Sequence, residues 1–95
     1  MISTADELLV VLDPLPHAAR LRYTAVTARR LADRGALQPL LAALDGLGPY
    51  ERRLAALAAL AAGELGHLAA RLGDPDPVVR RYALRGARRT PVPGT

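Results

Sequence analysis

The chain has 95 residues, the size of one small domain, and it contains no cysteine, which excludes disulfides and thiolate metal sites. Its apolar residues are mostly alanine and leucine, so the core should be thin, and 13 arginines against nine acidic residues give a net charge of +4. The longest apolar run, residues 54–62, is too short to span a bilayer and residues 1–7 lack the basic start of a signal peptide, so we expect a cytoplasmic protein without membrane contact.

The first third of the chain predicts two helices joined by a proline-rich break. Thr4 and Glu7 fit a capping box, and the helix that they begin runs to about Leu12, where two prolines end it. A second helix covers about residues 17–34, and Gly35 is placed to terminate it. Its inner face is expected to hold the apolar residues at helical spacing, Leu21, Ala25, Ala28 and Ala32.

The rest of the chain predicts four more helices and no strand. The third covers about residues 37–44, the fourth 50–62 and the fifth 65–72, with glycine-containing turns between them. Asp76 is a suitable N-cap and Pro77 a suitable first residue for the sixth helix, which continues to about Arg89. Residues 91–95 contain two prolines and a glycine, and we expect them to form a disordered tail.

The predicted helices form pairs that repeat along the chain. A shift of 29 residues aligns Leu21, Tyr50 and Val79 at the starts of the second, fourth and sixth helices, and a shift of 28 aligns leucines of the third and fifth. The difference between the two shifts indicates a one-residue slip in a loop. The shift of 29 also places Glu51 where Arg80 stands in the last copy. Stacked helical hairpins bury apolar faces that one hairpin cannot bury alone. One domain over residues 1–90 is therefore expected, with repeats at about 3–34, 36–62 and 64–89.

The last turn and helix carry a family resemblance. Asp74, Asp76, Pro77, Val79 and Arg80 stand in a pattern that resembles the turn and second helix of a HEAT repeat, and residues 60–66 resemble the short bacterial HEAT-like repeats also seen in phycobilin lyases. The likeness is close over residues 50–89, looser over 36–49 and rests on pattern alone over 1–35. It implies an all-α fold, a right-handed α-solenoid of about three antiparallel helical hairpins, and most often a protein-binding scaffold. It does not imply bilin chemistry, because repeats are shared by proteins of unrelated function.

The C-terminal end of the array has no evident cap. Leu84 lies off the main apolar stripe of the sixth helix, and only a short tail follows that helix. Terminal repeats of solenoids need a polar outer face. We therefore expect either that the chain is the N-terminal part of a longer array, or that the uncapped helix mediates self-association.

Arginines on the second helix of each hairpin are the candidate binding residues. Twelve of the 13 arginines lie on these helices or at their ends, and residues 78–95 contain five arginines and no acid. Arg80 is expected to have a structural role, bonded to loop aspartates or carbonyl groups of a neighbouring repeat. The others favour a protein partner, since guanidinium groups bind carboxylates through paired hydrogen bonds. The alternative is sequence-independent nucleic-acid binding through the phosphate backbone. The predicted partner-binding residues are Arg22, Tyr23, Arg52, Arg53, Arg81, Arg85, Arg88 and Arg89.

The sequence contains no pattern typical of a catalytic or metal site. Asp74 and Asp76 are explained by turn and N-cap chemistry, and a calcium site would need more carboxylates nearby. His17 and His67 are the only histidines, and neither has a second ligand at zinc spacing. No nucleophile lies beside a base and an orienting acid. A non-enzymatic protein without a cofactor is therefore expected.

Overall fold

The computed structural model describes residues 4–89, and this part of the chain is all-helical, without a strand. Six helices are connected by short turns: α1 (Ala5–Leu12), α2 (His17–Asp33), α3 (Leu37–Asp45), α4 (Pro49–Ala62), α5 (Leu65–Ala69) and α6 (Pro77–Arg89). The predicted helix order is confirmed, and most of the predicted ends agree to within a residue or two. The start of the first repeat at residue 3 and the predicted tail at 91–95 lie outside the described residues.

The predicted fifth helix is too long. It ends at Ala69 rather than near residue 72, because the hydrogen bonds of the next residues no longer join residues four apart. The Arg71 amide donates to the Leu68 carbonyl and the Asp74 amide to the Arg71 carbonyl, each three residues back. These turns leave Leu72 42% exposed instead of buried on a helical stripe. They also bring Arg71 close to Asp74.

Local signals position the helix ends as the sequence predicts. The Thr4 hydroxyl accepts a hydrogen bond from the Glu7 amide at 3.2 Å and caps α1. One carboxylate oxygen of Asp76 accepts hydrogen bonds from the amides of Val78 and Val79, each at 3.1 Å, and so caps α6. Gly35 follows α2 at a φ of 68°, a left-handed conformation that side chains with a Cβ rarely adopt.

The buried face of α2 differs from the predicted one. Of the four residues expected on its inner face, only Ala28 is fully buried, and Thr24, Thr27 and Leu31 are buried instead. The helix packs mainly against α4 and touches α1 and α3 much less. Its buried stripe therefore follows the contact with α4, where the small and β-branched threonines are accommodated at the interface.

Helix α4 lies at the centre of the molecule. It contacts α2, α3, α5 and α6, and Ala55, Ala56, Ala58 and Ala59 on it are completely buried. Small side chains let the surrounding helix backbones approach closely, while leucines from the other helices fill the space between them. Because α4 touches both α2 and α6, it lies between these two helices. Within residues 4–89, no helix combines the length and the apolar character needed to cross a membrane.

Candidate interaction surface

Two consecutive arginines of α4 hold the acidic turn before α6. Arg52 donates from Nε and Nη2 to the two carboxylate oxygens of Asp74, at 3.1 and 3.4 Å. Arg53 makes the same kind of fork with Asp76, at 3.0 and 2.8 Å. Bidentate pairs of this type are strong and directional. The turn before α6 is therefore fixed to α4.

The turn carboxylates are stabilised in their charged forms. The pKa of Asp76 is lowered to about 2, mainly by the hydrogen bond from Arg53. Burial opposes this change, whereas the amides of Val78 and Val79 that Asp76 caps contribute to it. Burial also opposes ionisation of Asp74, yet the Asp76 amide and Arg52 together lower its pKa. Both acids are thus held as internal anions. Within residues 4–89, no three histidines or acids lie close enough together to hold a metal ion.

Arginines also satisfy backbone carbonyls in the turns. Arg80 donates from Nη1 to the carbonyls of Asp74 and Pro75 at 2.8 and 3.0 Å. It bonds carbonyl groups as expected, but they belong to the turn before its own helix and not to a neighbouring repeat. Arg20 donates in a similar way to the carbonyls of Leu15 and Asp13, at 2.7 and 2.8 Å. The turns that precede α2 and α6 are therefore braced by an arginine in the first part of each helix.

Helices α4 and α6 align with a shift of 28 residues, not 29. This shift superimposes the N-caps Gly48 and Asp76, and it also superimposes the buried residues Ala55 with Ala83. Arg52, and not Glu51, is then equivalent to Arg80. With the shift of 29, Arg80 has no arginine as its counterpart in α4. With the shift of 28 its counterpart is Arg52, which bonds Asp74 in the turn before α6 and not the turn before its own helix.

The eight residues predicted for partner binding fall into two groups. Arg22, Arg81, Arg85 and Arg88 are exposed, Tyr23 is 36% exposed, and the Arg85 guanidinium lies over the Tyr82 ring at 5.7 Å from the ring centre. The others, Arg52, Arg53 and Arg89, make intramolecular bonds, with Arg89 donating from Nη1 to the Leu60 carbonyl at 3.0 Å. Their role toward a partner stays a prediction. The forks could not be recognised in the sequence, because their partners are 22 and 23 residues apart and meet only through the packing of α4 beside the turn.

A cleft lies across the first turns of α2, α4 and α6. It has a volume of about 290 Å³ and contains residues from all three second helices. Arg20, Arg53 and Arg81 contribute one guanidinium group per helix, and the Nη1 of Arg20 is 3.4 Å from the Tyr50 hydroxyl. The remaining lining residues are His17, Leu21, Tyr50, Leu54, Val78 and Tyr82. The sequence analysis did not single out this set, because its members come together only when the three helix starts are side by side.

A second polar cluster joins α3 to the segment around α5. The Arg71 Nη2 lies 2.8 Å from the Asp45 Oδ2, whereas the His67 Nε2 lies 3.6 Å from the same oxygen. Burial lowers the pKa of His67, and its neighbour Arg71 acts in the same direction, while Asp45 and Glu64 oppose it. The imidazole is therefore neutral at pH 7, and the long contact to Asp45 is not an ion pair.

This histidine predicts a loss of stability in mild acid. Because the pKa of His67 is lower in the folded than in the unfolded chain, the unfolded chain takes up the proton first, and stability falls as the pH drops through the unfolded value of 6.5. We expect the melting temperature to decline between about pH 7 and pH 5. His67→Gln should flatten that decline in calorimetry. An equal slope in both proteins would assign the effect to other groups.

Comparisons of the chain with models of protein families, with curated proteins and with solved structures gave no match. The geometry of the surface itself is therefore the basis for a functional proposal.

Proposed function

We propose that the chain is a non-enzymatic protein-interaction module, a HEAT-like right-handed α-solenoid that binds a protein partner through its second helices. The observation that carries the proposal is the side-by-side placement of α2, α4 and α6, with exposed arginines on α2 and α6. The contact of α4 with both flanking second helices supports stacking of successive hairpins. Such stacking produces extended surfaces that suit partner binding.

The charge of this surface favours a partner with acidic side chains. Residues 77–89 contain no acid, and the nearest acids, Asp74 and Asp76, are neutralised by Arg52 and Arg53. Exposed guanidinium groups on α6 are therefore uncompensated locally. Arginine and tyrosine are both enriched at protein interfaces, because each offers a flat surface together with directional hydrogen bonds.

Nucleic-acid binding on the same basic face is the second candidate. The exposed Arg81, Arg85 and Arg88 on one helix could contact phosphates. The aromatic side chains offer little for base stacking, since Tyr82 is half-buried beneath Arg85 and Tyr50 lines the cleft. Such binding would weaken steeply as salt rises, because each phosphate contact releases condensed counterions. A protein complex held by a few ion pairs should show a much shallower dependence.

Site-specific photo-crosslinking tests the proposal. A photoreactive amino acid is placed at Arg85, on the second-helix face, or at Val10, which is 74% exposed on the first helix, as the matched control. After irradiation in the cells that produce the chain, we expect a defined protein adduct from position 85 and none from position 10. Mass spectrometry then identifies the adduct.

Other adduct patterns would contradict the proposal. Nucleic-acid adducts from position 85 would support the second candidate in its place. Equal labelling from both positions would show contact without a preferred face. No adduct from position 85, with the folded chain present, would remove the second helices as the binding surface.

A further inference from the structure

The cleft at the starts of α2, α4 and α6 is positively charged along its polar side and apolar along the rest. Arg20, Arg53 and Arg81 line it, and no acidic residue does. Leu21, Leu54 and Val78 supply aliphatic surface between the guanidinium groups. Tyr50 and Tyr82 add two rings with hydroxyl groups. A ligand that fits this lining has an anionic group next to an apolar body.

The three arginines of the cleft differ in how they are held. Arg20 is fixed by two backbone carbonyls and approaches the Tyr50 hydroxyl through Nη1. Arg53 uses Nε and Nη2 for Asp76, and its side chain is still 43% exposed, so that donors on Nη1 remain for a ligand. Within residues 4–89, the Arg81 side chain is exposed and makes no hydrogen bond or ion pair. Arg81 is therefore the guanidinium that is available for a new carboxylate.

The size of the cleft decides between the kinds of polyanion that it could hold. About 290 Å³ lies at the lower end of the range for small-ligand sites, which is roughly 300–1,000 Å³. It has room for one or two side chains and not for a continuous run of nucleotides. A nucleic-acid backbone offers no apolar group to contact the leucines and valine in the lining. A protein segment with an apolar side chain next to a carboxylate can contact both these residues and an arginine. Size and lining together favour a short segment of a protein.

We propose that this cleft binds an acidic segment of a protein partner, with a glutamate or aspartate carboxylate on Arg81 and a neighbouring apolar side chain against Tyr50, Tyr82 and the aliphatic residues. This inference rests on the proposed function and names the chemistry of the partner. Arg53 supplies further hydrogen-bond donors, already oriented by its fork with Asp76. Preorganised donors reduce the entropy that binding must overcome.

Fluorescence anisotropy with a short labelled peptide tests the cleft directly. The peptide repeats the unit Glu-Glu-Leu-Tyr, and it is compared with a version in which glutamine replaces glutamate, with oligoglutamate, and with single-stranded oligothymidylate. We expect only the first peptide to bind well. Arg81→Gln should weaken its binding about tenfold, because a charged hydrogen-bonded pair is lost. Arg81→Lys should be intermediate, since it retains the charge without the planar fork.

The matched control is Arg29→Gln, which removes the same charge from an exposed position on α2 outside the cleft. We expect it to change affinity less than about twofold, because exposed rim charges contribute little to affinity. Circular dichroism confirms that each variant is folded. Equal weakening by Arg81→Gln and Arg29→Gln, equal binding of oligoglutamate, or a preference for oligothymidylate would overturn the proposal that the cleft binds an acidic segment. Protein crosslinks from position 85 combined with a negative peptide result would reject the cleft while leaving the proposed function in place.

Discussion

Asp76→Ala is expected to lower the melting temperature by roughly 10 °C, because the substitution removes two kinds of interaction at once. The carboxylate caps α6 by accepting from the amides of Val78 and Val79, and it also forms the two-bond fork with Arg53. Alanine leaves the first turn of α6 without a cap and Arg53 without its anion. Differential scanning calorimetry at pH 7 measures the shift. A change of only a degree or two would show that the turn is not fixed to α4 through this residue.

Asp76→Asn distinguishes the contribution of the carboxylate charge to stability from that of the helix cap. Asparagine still caps a helix, but it cannot form a charged pair with Arg53. The folded pKa of about 2 lies below the ordinary value of 3.8, so the charge contributes stability above about pH 4 and loses that contribution as the pH falls toward 2. The melting temperatures of Asp76→Asn and the native chain should therefore differ at pH 7 and converge at about pH 2. A constant difference over that range would contradict the role of the charge.

Leu68→Ala and Gly86→Ala are each expected to destabilise the chain, and together they should be less harmful than their sum. Leu68 is fully buried, and its replacement should lower the free energy of unfolding by about 2–5 kcal/mol. A Cβ at Gly86 would lie 2.5 Å from the Leu68 Cδ1 and 3.1 Å from its Cβ. The side-chain end can turn away, but the Cβ cannot, so α5 and α6 must separate. Overpacking of this kind costs about 1–3 kcal/mol, which exceeds the helix-propensity gain of about 1 kcal/mol.

Gly86→Ala should be less destabilising in the Leu68→Ala background than in the native chain. The substitution of Leu68 removes the approach to Cδ1 and leaves the one to Cβ, so that the gain in helix propensity offsets a larger part of the remaining cost. Urea unfolding of the native chain, both single variants and the double variant measures the coupling. Gly66→Ala is the control, because a Cβ there meets nothing within 4 Å. It should be neutral or stabilising. Additive effects of Leu68→Ala and Gly86→Ala would show that the two positions are not in direct contact.

The fork between Arg53 and Asp76 connects the stability of the molecule to its candidate binding site. Arg53 lines the cleft while its Nε and Nη2 are bonded to the N-cap of α6. The residue was predicted as a partner contact from its position on a second helix. In the structure Arg53 binds Asp76 of the same chain through Nε and Nη2, so any contribution to partner binding uses the donors on Nη1. Substitution of Arg53 would therefore alter folding and binding together, whereas Arg81 offers a cleaner test.

The local features of this chain could be predicted from the sequence because they depend on neighbouring residues. Helix propensity, the cap at Thr4, the cap at Asp76 and the glycine after α2 each act within a few residues. The all-helical class and the order of the six helices follow from these signals. The exposed arginines of α6 could also be foreseen, since helical periodicity separates them from Val79, Ala83 and Gly86 on the buried face.

Only the tertiary structure decided which side chains meet across the hairpins. The sequence placed Leu21 and Ala25 on the inner face of α2, but packing on α4 buries Thr24 and Thr27. It assigned Arg52 and Arg53 to the surface, but the next turn brings aspartates within reach of both. The cleft likewise depends on the alignment of three helix starts that are far apart along the chain. Periodicity defines a helical face only within one helix, and the rotation and register of one helix against another are set by the side chains that fill the space between them.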